Sequence, residues 1–472
     1  MSRPLPVDAV VSPSFWQSLR EAILGSRQDF TEGSLNRAIV LLAIPMVLEM
    51  VMESLFGVVD AYFVGRLGTD AVGAVGVTEA LLTLIFPLCM GLSMATTATV
   101  ARRIGEKNHE GAADAAVQAI AAGLVISVLF GAVGLAFAPG FLKLMGAPPG
   151  VRETGSRFAA ILLGGSGTIV MLFLMNAVFR GAGDAAIAMR VLWLANLINI
   201  ALVPCLINGW GPFPRMGLEG AAVGTTIGRG VGVLYQLWTL ASGKSRIPIA
   251  RRHLHLHLDV MLRMVRMSAS GTIQFAIAHW SWLALTRILT TFGSAALAGY
   301  TIAIRIIVFA ILPSWGLSNA AATLVGQNLG ARKPDRAENA VWRTSLYNAA
   351  FLGTVALVFI LFANPLVRIF TRDEAAIEVG VHCLRFISYG YPFYAFGMVM
   401  VQAFNGAGDT VTPTKVNVFC YWLWEIPLAL TLSKLAAMGP NGVFLAITVA
   451  ESTMAVVASL MFRRGRWKQA RA

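Results

Sequence analysis

The chain has 472 residues, of which 57% are hydrophobic and only 13% charged, where an ordinary soluble domain has about 25% charged. Several apolar runs reach about 20 residues, enough to cross a bilayer as a helix, and the polar stretches between them are too short to hold a soluble domain. The net charge is +13, from 37 Lys+Arg against 24 Asp+Glu. A nucleic-acid binder is one reading of that charge, but its placement in alternate short loops argues for membrane topology instead.

The basic residues gather at Arg102, Arg103 and Lys107; at Lys244, Arg246, Arg251 and Arg252; at Arg332, Lys333 and Arg336; and at Arg463, Arg464, Arg466 and Lys468. By the positive-inside rule these loops and both termini are cytoplasmic. The chain therefore reads as a multi-pass protein of the cell inner (plasma) membrane.

Residues 1–37 form a polar cytoplasmic segment in which Phe15, Trp16 and Leu19 suggest a short interfacial helix. Its first residues lack the apolar run and small-residue cleavage site of a signal peptide, so the first span is expected to act as the insertion signal. Spans are predicted at about 38–64, 73–100, 113–138, 156–179, 185–208 and 218–241, then at about 262–290, 297–325, 337–363, 380–405, 411–434 and 441–462. This divides the chain into an N-lobe of helices 1–6 (38–241), a cytoplasmic linker (242–259), a C-lobe of helices 7–12 (260–463) and a basic tail (464–472).

The two lobes are copies of one unit. Phe179–Asp184 (FRGAGD) recurs as Phe404–Asp409 (FNGAGD), with one constant offset at every position. The same offset carries Gly91-Leu92-Ser93, Gly105 and Gly68 onto Gly316-Leu317-Ser318, Gly330 and Gly293 without a gap. A repeat close to half the chain in length is a domain duplication, since solenoid units run to about 20–50 residues. Six spans per copy is an even number, so the copies share one orientation and a pseudo-two-fold axis lies along the membrane normal. The fold class is thus an all-α integral membrane protein with twelve transmembrane helices in two six-helix lobes.

FRGAGD sits between the fourth and fifth spans. Gly181 and Gly183, with Gly406 and Gly408 in the second copy, are read as a tight turn with positive φ. Asp184 is read as a cap on the helix that follows; after Asp409, its counterpart in the second turn, the chain continues Thr410-Val411-Thr412-Pro413, a polar entry with proline near the first helical turn. The string also fits a loose dinucleotide fingerprint, but no strand precedes it and the second copy loses the last position.

The first span carries Glu49, Glu53 and Asp60. At 100° per residue they lie within about 40° of one another, on one stripe about 16 Å long. A carboxylate at the bilayer centre costs about 2.5–3.5 kcal/mol even on lenient scales, so the stripe faces protein or water. Bonding to neighbouring helices explains any single acid; an ion or proton path explains the three together. Asn196 and Asn199 share a face of the fifth span, Glu79, Glu425 and Glu451 are single acids in other spans, and Arg229, Arg287 and Arg305 are available to pair with acids. His279 reads as a core histidine. Met50, Asn176, Tyr394 and Met398 are candidates for an adaptable substrate cavity.

The four cysteines form no C-x-x-C pair, so neither a zinc site nor a disulfide framework is expected. His253, His255 and His257 alternate in the linker; they read either as a metal-binding strand face or as an amphipathic stretch on the headgroups. No P-loop, no complete G-x-S-x-G elbow and no H-E-x-x-H motif occurs, so no enzyme is expected, and no cofactor.

Val59-Asp60-Ala61-Tyr62-Phe63-Val64-Gly65-Arg66-Leu67-Gly68 resembles the first-helix signature of the multidrug and toxic compound extrusion (MATE) transporters. The two GAGD turns resemble their repeated turn. Gly91–Asn108 and Gly316–Ala331 resemble the ends of their second and eighth helices, Asn199-Ile200-Ala201-Leu202-Val203-Pro204 resembles their fifth helix, and Gly217-Leu218-Glu219-Gly220-Ala221-Ala222 their sixth. The resemblance covers about residues 35–465 and is closer to the DinF-like than to the NorM-like branch. It implies two six-helix lobes around a central cleft and export of organic cations or other xenobiotics in exchange for Na⁺ or H⁺. In the DinF-like branch the coupling residues match Asp60, Asn199 and Thr225, while Val203 stands where a second aspartate is common. In the NorM-like branch the coupling acids would fall on Ala278 and Tyr394, neither acidic.

The leading expectation is therefore a proton-coupled multidrug antiporter. Asp60 would carry the proton, Asn199 and Thr225 would orient it, and Glu49 and Glu53 would extend the polar path. The expected partners are a small-molecule xenobiotic or organic cation and membrane lipids, with no nucleic acid, and a monomer is expected. A lipid-linked-substrate flippase of the same architecture is the rival, and a basic cavity would favour it. A membrane-embedded enzyme is a third reading, opposed by the missing motifs and by the duplication.

Overall fold

A computed structural model describes residues 15–247 and 249–470; the side chains of residues 15 and 58–61 are outside the described set, so the Asp60 carboxyl is not placed. Every regular element among the described residues is a helix. A bilayer offers the backbone no hydrogen-bond partners, so each spanning segment must satisfy its own.

The interfacial helix α1 (Phe15–Leu24) leads into α2 (Leu35–Gly65). The second span is a pair, α3 (Thr69–Leu82) and α4 (Phe86–Gly105), bent by 43°. The third is α5 (His109–Leu144). The fourth is α6 (Pro149–Gly164) with α7 (Ser166–Ala182), followed by α8 (Ala185–Asn208) and α9 (Leu218–Ala241). The second lobe repeats the order: α10 (Leu258–Thr290), α11 (Ser294–Gly330), α12 (Pro334–Arg368), α13 (Glu374–Tyr389) with α14 (Tyr391–Ala407), α15 (Val411–Leu435) and α16 (Pro440–Arg463). Eight described helices are long and apolar enough to cross a membrane, and the bent pair makes nine. The more polar α9 and α10 and the broken α13–α14 bring the two lobes to the expected six spans each. Several helices outrun their predicted ends. The 36 residues of α5 extend about 54 Å at 1.5 Å per residue, well past the about 30 Å hydrocarbon core.

The duplication holds element by element. Thr69 and Ser294, His109 and Pro334, Pro149 and Glu374, and Ser166 and Tyr391 each begin a helix, and each pair is separated by the same offset as Asp184 and Asp409. Even an uncommon backbone conformation is duplicated, in Lys107 at φ 60° and Arg332 at φ 57°.

The lobes meet along a seam of glycines with two-fold character. A Cβ on Gly105 would overlap the Gln327 carbonyl, and one on Gly330 would overlap the Arg102 carbonyl. The repeat offset converts the first contact into the second. A Cβ on Gly91 would collide with α10 at Thr272, and one on Gly316 with α2 at Val47, again the same contact shifted. Helix backbones thus touch directly across the pseudo-axis, as small residues permit in membrane bundles.

Two turn expectations need correction. Positive φ belongs to Gly183 (86°) and Gly408 (88°), while Gly181 and Gly406 lie within the helices α7 and α14. Their lack of a side chain serves packing: a Cβ on Gly181 would sit 2.9 Å from the Thr97 carbonyl oxygen, and one on Gly406 would overlap that of Ala322. Asp184 does not cap α8. It accepts from the Arg246 backbone N–H at 2.7 Å and pairs with the Arg246 guanidinium at 3.2 Å, tying the linker to the turn. Asp409 does cap, accepting from Thr412 N–H at 3.1 Å.

The histidine stretch docks on α5. His253 is buried; its Nδ1 accepts from Ala250 N–H at 2.9 Å, so Nε2 carries the proton and donates to Glu110 at 2.6 Å. Gln118 bonds the His255 carbonyl and the His257 N–H. Among the described residues no cluster of three or more ligating side chains could hold a metal.

Segment 25–33 crosses the seam at the same end of the molecule. Arg246 donates to the Ser26 and Gln28 carbonyls, and Lys107 pairs with Asp29. From the other lobe Lys333 reaches the Thr31 carbonyl at 3.0 Å and Arg336 those of Glu32 and Gly33. Burial opposes the Asp29 charge, yet hydrogen bonds from Lys107 and Thr31 prevail and lower its pKa from 3.8 to about 2. The contribution of this ion pair is present above pH 3.8 and lost only as the pH falls through about 2, so this clasp stays ionised at any physiological pH.

The seam makes a direct prediction. Gly105→Val or Gly330→Val forces overlap with a fixed backbone, at a cost of about 1–3 kcal/mol or more, and should lower Tm in detergent or abolish expression. Gly353→Ala, with nothing near its would-be Cβ, should leave Tm unchanged or raise it by the helix-propensity gain of about 0.5–1 kcal/mol.

Candidate functional site

A central cleft lies between the lobes. The N-lobe lines it with Glu49, Met50 and Glu53 of α2, Met94 and Thr97 of α4, Asn176 and Arg180 of α7, and Arg229 of α9; the C-lobe supplies Phe275, Trp315, Asn319, Gln402 and Asn405. The carboxyl stripe therefore faces protein and cavity, as its cost in lipid demands.

Its acids are matched by bases. Glu49 Oε1 accepts from Arg180 at 3.1 Å and from Asn176 Nδ2 at 3.0 Å, and Gln236 donates to the Asn176 Oδ1 at 2.6 Å. Glu49 Oε2 is buried with no partner. Glu53 interacts electrostatically with Arg229, whose guanidinium also lies over Phe56 at 5.3 Å. Two acids thus face two arginines, and these four charges cancel. The Arg180 and Arg229 partnerships could have been guessed from charge but not located, because they join helices distant in sequence.

Asn199 and Thr225 are brought together, with Nδ2 donating to Oγ1 at 2.9 Å, both buried and with Asn199 Oδ1 left unpartnered. They do not line the central cleft, so they stand apart from Glu49 and Glu53. Asn196 donates to the Met52 carbonyl at 3.2 Å. Val203 is buried against Gly224, whose would-be Cβ lies 2.7 Å from it. Of the cavity candidates, Met50 and Asn176 line the cleft. Tyr394 and Met398 line a smaller pocket beside it in the C-lobe, a passage that shares the stacked rings of Phe275 and Trp315 with the cleft.

That passage ends in a chamber that the sequence reading missed. It is lined by Glu425 and Glu451, treated there as isolated acids, together with His279, Trp282, Tyr391 and Tyr421. Their convergence has a local signature in the helix: α15 is wound as a π-helix over Val418–Glu425, a rare form that concentrates at functional sites.

A family model described as MatE matches residues 45–205 and again 272–431. The chain belongs to the MatE family. Two matches in one chain repeat the duplication seen in the helices. A probable multidrug resistance protein NorM of Thermotoga maritima is 26% identical over 440 residues, covering 92% of this chain and 94% of that one. A solved outward-facing conformation of a multidrug resistance MATE transporter superposes with TM-score 0.87 at 25% identity, covering 93% and 98%. A MOP superfamily transporter from Pyrococcus furiosus, described as having a binding pocket of reverse polarity, superposes with TM-score 0.86 at 26% identity, covering 92% and 97%. The MATE chain is a transporter fold, not an enzyme.

The duplication supplies its own control for the cleft. The repeat offset carries Glu49 and Arg180 onto Gln274 and Asn405 in the second lobe. Arg180→Asn alone leaves Glu49 buried and uncompensated, which costs about 3–5 kcal/mol and should lower Tm strongly. The double variant Glu49→Gln/Arg180→Asn copies the neutral pair of the other lobe and should recover most of the loss, read as a Tm closer to wild type than that of the single variant.

Proposed function

We propose that this MATE protein is a secondary-active multidrug exporter that moves organic cations and other xenobiotics out of the cell in exchange for H⁺ or Na⁺. The observation that carries this reading is a cleft walled by both lobes and bounded at one end by the glycine seam and the segment 25–33 clasp. Alternating access needs such a cavity between bodies that can rock against each other. The basic loops at that end support a cytoplasmic-face location for it in the inner membrane, with both termini inside, and in this reading the molecule works as a monomer.

The cleft also bears on the rival reading. A lipid-linked-substrate flippase would be favoured by a basic cavity, whereas here Glu49 and Glu53 balance Arg180 and Arg229. Methionine and aromatic walls suit varied flat, apolar substrates, in keeping with the multidrug names of the relatives.

Coupling is assigned to a proton on Asp60, with Asn199 and Thr225 as its polar neighbours. A sodium ion wants several oxygen ligands, and Val203 removes one of the expected carboxylates. A proton needs a single carboxyl group whose affinity changes as the cavity alternates between dry and wet. Glu49 and Glu53, each opposed by an arginine, hold the cleft's polar wall in place.

The test is export of a fluorescent organic cation by everted vesicles, with proton and sodium gradients imposed separately. A proton gradient should drive accumulation in wild-type vesicles, and Asp60→Asn should abolish it while the protein remains folded. Full activity of Asp60→Asn, or accumulation that follows only a sodium gradient at fixed pH, would contradict the proton assignment. Absence of accumulation under both gradients would contradict export.

A further inference from the structure

The two lobes began as one unit, yet their intramembrane charges are now arranged differently. In the N-lobe each cleft acid faces an arginine. The C-lobe chamber, about 400 Å³, holds Glu425 and Glu451, and among the described residues lining it none is Arg or Lys. Neither acid forms a salt bridge among the described residues. Glu425 is buried and accepts from Ser281 at 2.9 Å; Glu451 Oε1 accepts from Tyr421 at 3.2 Å, while its Oε2 is buried without a partner. Tyr391, only 1% exposed, also presents to this chamber a hydroxyl with no hydrogen-bond partner.

The repeat shows how the acids came together. The close of the helix hairpin is the same in both lobes: Met216 N–H donates to the Leu206 carbonyl, and Met438 N–H to that of Leu432. The step from Leu206 to Leu432 is one position longer than that from Asp184 to Asp409, and the π-helical winding of α15 accommodates the extra residue. The step from Met216 to Met438 is shorter again, because the loop that follows has lost residues. Counted from these anchors, Glu425 takes the place of Asn199 and Glu451 that of Arg229. A neutral amide and a cation have become two acids.

The chamber is linked to the central cleft by shared walls. The passage between them shares Phe275, Trp315 and Gln402 with the cleft, and Ala278, Tyr394 and Tyr421 with the chamber. A bare ion needs neither this volume nor these rings. Acids without a basic partner, within an aromatic wall, are the chemistry that holds an organic ammonium, which would draw them into the charged form and add cation–π attraction, and the volume is that of a small-molecule pocket. Orphaned oxygens at Glu451 and Tyr391 would find partners on such a ligand, since a buried unsatisfied polar group is costly.

We propose that the C-lobe chamber is a second ligand site, which takes the cationic group of an organic substrate that has passed through from the central cleft. This rests on the reading of the chain as an organic-cation exporter. In the N-lobe Glu49 is paired with Arg180 and Glu53 lies in the field of Arg229, so these charges shape the cleft; the charge selectivity resides in Glu425 and Glu451.

The experiment is equilibrium binding of tetraphenylphosphonium to the purified full-length protein in detergent, with no gradient, alongside its gradient-driven export from vesicles. Glu425→Gln/Glu451→Gln keeps the hydrogen bonds from Ser281 and Tyr421 and should weaken binding about tenfold or more, as loss of charge-assisted contacts does. Trp282→Leu, on a wall that is 40% exposed, removes one aromatic face and should weaken it several-fold; it decides the matter if the double variant fails to fold. Unchanged binding in the folded variants overturns the chamber as a ligand site. Unchanged binding with lost export would assign the carboxyls to the coupling ion instead, and also overturns it. A wild-type protein that neither binds nor exports the probe overturns the export reading itself.

Discussion

Backbone-to-backbone contact between the lobes is the constraint on which this structure depends. Gly105 lies on Gln327 and Gly330 on Arg102, with Gly91 and Gly316 making the equivalent pair of contacts to α10 and α2. In a bilayer no hydrophobic effect draws two apolar surfaces together, so close packing and satisfied polar groups must do so. Hydrogen bonds lie next to the seam: Gln327 donates to the Gly181 carbonyl at 3.0 Å and Thr323 to that of Arg180 at 3.1 Å. The GAGD turn is therefore part of the lobe interface, and the same small residues that let the helices approach also shut one end of the cleft. Contact made by small residues and a few hydrogen bonds can be exchanged for another packing without unfolding either lobe, as two-state rocking requires.

The cost of charge in the membrane is met in two ways. In the N-lobe Glu49 is opposed by Arg180 and Glu53 by Arg229, and the Glu49 carboxylate is also bonded to Asn176. In the C-lobe the positions that repeat Glu49, Arg180 and Glu53 hold Gln274, Asn405 and Ala278, and the acids appear elsewhere, at Glu425 and Glu451 with neutral donors only. A paired charge fixes a wall, and an unpaired one can attract a ligand. Duplication followed by this divergence gives one protein a charge-balanced cleft and an acid-lined side chamber, with a small aromatic-walled pocket between them.

Much of this was legible in the sequence. The constant offset between the two copies picked out Gly91, Gly105, Gly316 and Gly330 as repeated positions, though not as a seam, and apolar run length indicated the spans. Helical periodicity put Glu49 and Glu53 on one face. Three things were not legible, for physical reasons. Gly181 looks like a turn glycine beside Gly183, but helix-to-helix approach, which has no local signature, is what it serves. Asp184 looks like a cap, as Asp409 is, but its partner Arg246 lies in the linker beyond α9 and only the fold brings it near. The meeting of Glu425 with Glu451 depends on a helix that departs from 3.6 residues per turn, so an ungapped count could not align them with Asn199 and Arg229.

The central claim is that the two lobes rock about the glycine seam to expose one cleft to either side in turn. Double electron–electron resonance between spin labels on His109 and Asn339, exposed near the starts of α5 and α12 beside the basic loops, tests it most directly, in a cysteine-free background reconstituted into nanodiscs. The account predicts a single distribution in the resting protein and a second, longer-distance population when a transported cation or a change of pH is supplied. One unchanged distribution under every condition, in protein that still exports, would contradict it.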